Sequence, residues 1–165
     1  MSHDDFGTER YRLERVLDIL ENAADRLNVG AHVPPSLLRD AVEFIRATEN
    51  TAYSDTEESE SDLPLSACVQ QHVAARAPLD AMARSLAAVG DGQAQATAFV
   101  RAARKYIQLR RDHLRADDQP FAGSAVAVTA DAPGVEAVET AAARRCYQRL
   151  IEESATLDIG RPSRL

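Results

Sequence analysis

The sequence predicts an all-α fold, an up-down-up-down antiparallel four-helix bundle with an additional C-terminal helix, on three observations. Apolar residues recur at spacings of three and four along most of the chain. The breaks between these segments carry Gly and Pro where helices stop and start. The 165 residues are 45% hydrophobic but only 5% aromatic, without tryptophan, and alanine carries much of the apolar share. That composition favours helices packed through small and aliphatic side chains.

The first helix is expected from Phe6 to about Asn28, where Phe6, Arg10, Leu13, Leu17, Leu20, Ala24 and Leu27 form one stripe. Gly30 stops it, and Pro34-Pro35-Ser36 prepares the next start. The second helix runs from about Ser36 to Glu60, with Leu37, Ala41, Phe44 and Thr48 inward. Beyond Thr48 the inward positions turn polar while helical spacing persists. Leu63-Pro64 opens a third helix with Leu65, Val69, His72, Arg76, Leu79, Ala83 and Leu86 on one face, and Pro78 inside it predicts a kink. Gly90-Asp91-Gly92 turns the chain into a fourth helix, about Gln93 to Asp117, whose inward face carries Phe99, Ala102, Tyr106, Leu109, His113 and Asp117. A final helix, about Gly134 to Glu153, presents Val135, Val138, Ala142, Cys146 and Leu150. The bundle thus occupies residues 1–122 and a small-residue linker 123–133. Residues 134–165 form the C-terminal helix packed on the bundle and its frayed tail.

Net charge is −7, which argues against a nucleic-acid backbone or an anionic membrane as partner. The chain has no run of 18 apolar residues, and its first residues are too polar for a signal peptide. Cys68 and Cys146 are far apart and lack metal-ligand spacing, so they read as reduced core thiols of a cytoplasmic protein. With no Gly-rich phosphate loop and no nucleophile motif, the reading leans away from an enzyme.

Polar residues interrupt the apolar stripes at one end of the expected bundle. Arg10 lies near the start of the first helix, Ser54 and Glu58 near the end of the second, His72 near the start of the third, and His113 and Asp117 near the end of the fourth. Antiparallel alternation brings all six to one layer. An inward imidazole and carboxylate at i, i+4 must meet a metal, an ion partner or a hydrogen-bond network, since burying them bare costs several kcal/mol.

In helix order and in the level of this layer, residues 8 to 122 resemble the hemerythrin-like, or HHE cation-binding, domain. Members of that family place a His early in helix one and a His-His-x-x-Glu-Glu-type run late in helix two. A His in helix three and a His-x-x-x-Glu pair in helix four complete a site for two irons. Here the first His falls on Arg10, a fixed cation that cannot ligate. The paired His fall on Tyr53 and Ser54, while Glu57 and Glu58 keep the acids. His72 and His113 match, and Asp117 replaces the usual Glu.

The resemblance implies non-haem metal binding with a role in oxygen, iron or redox handling, at a site reduced to one metal or lost. His72, His113, Asp117 and Glu58 are the candidate ligands of one iron, manganese or zinc ion, a set too small for a well-held pair of irons. Arg10 and Arg76 facing Glu58 and Asp117 give a charge-neutral alternative without a metal, with Ser54 and Glu57 beside it. The alternative function is a metal-free bundle acting as an interaction or regulatory module, with a protein partner or a second copy of itself.

Overall fold

Helix α1 (His3–Asn28) is broader in its buried face than the single stripe read from sequence. Leu13, Leu17, Leu20, Ala24 and Leu27 are buried as expected, and so are Val16, Ile19 and Ala23. The reason is that α1 has neighbours on two sides. It packs on α4 (Gln93–Asp117) and meets both α2 (Pro35–Ser54) and α5 (Ala141–Thr156). The remaining helix is α3 (Ala67–Leu86). The computed structural model describes residues 3–54, 67–87, 89, 93–117 and 141–157, and every regular element among them is an α-helix. None of these helices is long and apolar enough to cross a membrane.

The end of α1 shows how local chemistry sets the connection to α2. Gly30 adopts φ 75°, its N–H donates to the Leu27 carbonyl at 3.0 Å, and the Ala31 N–H donates to the Arg26 carbonyl at 2.8 Å. This pair of bonds is a Schellman motif, which satisfies the last carbonyls of a helix through a left-handed residue. Pro35 then occupies the first position of α2, where its missing N–H costs nothing.

Helix α2 buries Leu37, Leu38, Ala41, Val42, Phe44 and Ile45, and the described part ends at Ser54, with 55–66 outside the described residues. Helix α3 continues through Pro78 and buries Ala75, Leu79 and Met82. Arg76, expected on that face, is exposed. A helix advances 100° per residue, and the true stripe lies one position earlier at Ala75. Helix α4 buries Phe99, Ala103, Tyr106, Arg110 and His113 at steps of four, three, four and three, while Leu109, expected inward, is only half-buried. In α5 the buried residues are Ala143, Cys146, Leu150 and Ser154, so Ala143 replaces the exposed Ala142 on the inner side. The stretch 134–140, with Val135 and Val138, lies outside the described residues, as does the linker.

Helix α4 packs on α3 and on α1, α2 packs on α5 and on α3, and α1 meets α2. The pairs α1 with α3 and α2 with α4 make no close backbone approach among the described residues. Side-chain ladders fix two directions. Along α1 and α4, Arg10 reaches the Leu114 carbonyl, Asp18 and Glu21 meet Arg111, and Asp25 meets Arg104, so these helices run antiparallel. Along α2 and α5, Ser36 meets Glu153, Asp40 meets Arg149, and Phe44 meets Tyr147, again antiparallel.

Gly30 has open space around its missing Cβ, so only its backbone angle restricts substitution. Gly30→Ala is therefore expected to destabilise the protein by about 1 kcal/mol, the cost of a side chain in the left-handed region. Gly30→Asn should cost less. Urea unfolding midpoints test this, and an unchanged midpoint for the alanine variant would count against the left-handed turn.

Candidate functional site

The polar residues that meet inside the fold lie on α2 and α4. Arg110 and His113 are each only 7% exposed, on successive inward positions near the end of α4. Arg110 Nε stands 3.2 Å from Glu49 Oε1, with the two side chains 8% and 11% exposed. Nε makes no hydrogen bond, so this contact is an ion pair held by charge rather than by donor alignment. The same Glu49 oxygen accepts a short 2.6 Å hydrogen bond from the Tyr106 hydroxyl. One carboxylate from α2 thus collects a cation and a donor from consecutive turns of α4. Among the described residues the two helices make no close backbone approach, and these long side chains bridge them.

Burial pushes the Tyr106 phenol well above its ordinary value, the neighbouring Glu49 charge pushes it further, and Arg110 opposes. The phenol therefore stays a donor, and the Glu49 carboxylate keeps two partners of the right polarity. A buried guanidinium without an anion, or a buried carboxylate without a cation, costs several kcal/mol. Together they make a charge-neutral pair.

The residues singled out from the sequence fall around this layer. Arg10, half-exposed, donates through Nη2 to the Leu114 carbonyl at 3.4 Å and through Nε to Glu14 at 3.1 Å. This sets the start of α1 beside the His113 turn of α4, and the guanidinium answers a carbonyl at the negative end of a helix. Ser54, His72 and Asp117 lie on α2, α3 and α4, but their side chains are outside the described ones. Glu57 and Glu58 are outside the described residues altogether. Arg76 projects outward from α3. The buried cation is Arg110, which the sequence reading passed over together with Glu49. The spacing did carry a signal, since Arg110 sits four residues after Tyr106 and three before His113.

A second polar cluster joins α2 to α5. Asp40, 7% exposed, receives both Nε and Nη2 of Arg149, at 2.9 and 2.6 Å. Cys146 donates to Glu43 Oε2 at 3.5 Å, and Arg149 Nη2 lies 3.4 Å from its sulfur. Ligand-capable atoms of Asp40, Glu43 and Cys146 fall within 4.8 Å of one another. Their chemistry is nevertheless that of an ion pair. Burial and the Glu43 carboxylate push the Cys146 thiol up, so it keeps the proton a metal would have to displace. The Asp40 hydrogen bonds in turn hold the Arg149 guanidinium firmly protonated. A cation entering here would have to expel a bidentate guanidinium.

An open groove of about 260 Å³ between α1 and α4 is lined in part by Arg104, Arg111 and Arg115. Each already faces a carboxylate: Asp25 for Arg104, Asp18 and Glu21 for Arg111, and Asp112 for Arg115. This is a balanced charged surface, not an anion receptor. Compared with family models, curated proteins and solved structures, the chain matches none.

The Tyr106 contact makes a pH prediction. A phenol that holds its proton more tightly when folded contributes its full stability below the ordinary value of 10.0. That contribution is lost as pH rises beyond this value, because the unfolded phenol ionises first. Tyr106→Phe should lose about 1.5–3 kcal/mol at neutral pH, as for a hydrogen bond to a charged group. It should also show a shallower alkaline decline in chemical unfolding than the wild type. Parallel declines would mean that Tyr106 is not the phenol responsible.

Proposed function

We propose that the chain is a metal-free, hemerythrin-like four-helix bundle that works as an interaction or regulatory module rather than in oxygen or iron chemistry. The observation that carries this reading is the Arg110 guanidinium, buried against Glu49 among the inward residues of α2 and α4. A fixed cation in that layer supplies positive charge that a metal would otherwise bring. That buried guanidinium is what weighs against iron in this reading. The bundle part of the reading is supported by the neighbour relations, in which α1 to α4 form a closed ring whose two diagonals lack backbone contact. It is supported also by the antiparallel ladder between α1 and α4.

A second reading draws on His113. A buried imidazole one turn from Arg110 keeps open a single iron, manganese or zinc ion held by His72, His113, Asp117 and Glu58. Element analysis of protein purified without a tag and without added metal separates the two. The metal-free reading expects well under one equivalent of iron, manganese or zinc per chain. It also expects no change in thermal unfolding on adding ferrous iron. One or more equivalents per chain, lost in His113→Ala, would establish the metal reading instead.

A further inference from the structure

No further inference is drawn: the strongest candidate, the side-chain cluster of Asp40, Glu43 and Cys146 on the seam between α2 and α5, is two carboxylates beside a lone cysteine already closed by the Arg149 guanidinium, and no second observation there points to a ligand.

Discussion

The contact on which this fold turns is the meeting of Glu49, Arg110 and Tyr106 in the interior. Neither charge tolerates the interior alone, so each makes the other's position obligatory. The pair joins α2 and α4, two helices whose backbones stay apart, and it leaves α1 and α3 to fill the space between them. Small residues allow that filling. Ala23 and Ala24 of α1, Ala41 of α2, Ala75 of α3 and Ala102 and Ala103 of α4 are all buried, and they let helices approach closely around the long arginine and tyrosine. An apolar core accepts many rotations of its helices, whereas a buried ion pair accepts few. We read the pair as the element that sets register.

The two polar clusters on α2 differ in consequence. Glu49 faces the core, and its partners Arg110 and Tyr106 are buried. Asp40 faces α5, where its partner Arg149 has a side chain 53% exposed. Solvent reaches the Arg149 side chain and weakens the second pair. One helix thus carries a buried polar contact on one side and a partly solvated one on the other.

Much of the helical architecture was legible in the sequence, because amphipathic spacing and Gly and Pro punctuation report directly on helices. The bounds of α4 and the stop at Gly30 coincide with those expected, and Arg10 and the His113 turn lie together at one level. Helical phase was less legible. Arg76, Leu109 and Ala142 were each placed inward one position away from the buried residue, at Ala75, Arg110 and Ala143. When a helix is covered on two sides, its apolar band widens and a one-residue shift leaves the pattern almost unchanged. The site was least legible. Glu49 and Arg110 belong to different helices, and a pair formed across the core leaves no spacing within either one. The Asp40, Glu43, Cys146 and Arg149 cluster is assembled from two segments about a hundred residues apart, for the same reason.

The central claim is that Arg110 and Glu49 neutralise each other inside the protein, and a double-mutant cycle in chemical unfolding measures that most directly. Glu49→Gln and Arg110→Met each remove one charge while keeping much of the volume. The account predicts a loss of about 3–5 kcal/mol for each single variant, because each leaves the other charge buried and uncompensated. The double variant, neutral in the core, should recover at least about 2 kcal/mol relative to the sum. Losses that simply add, to within about 0.5 kcal/mol, would show that the two residues do not depend on each other and would contradict the account.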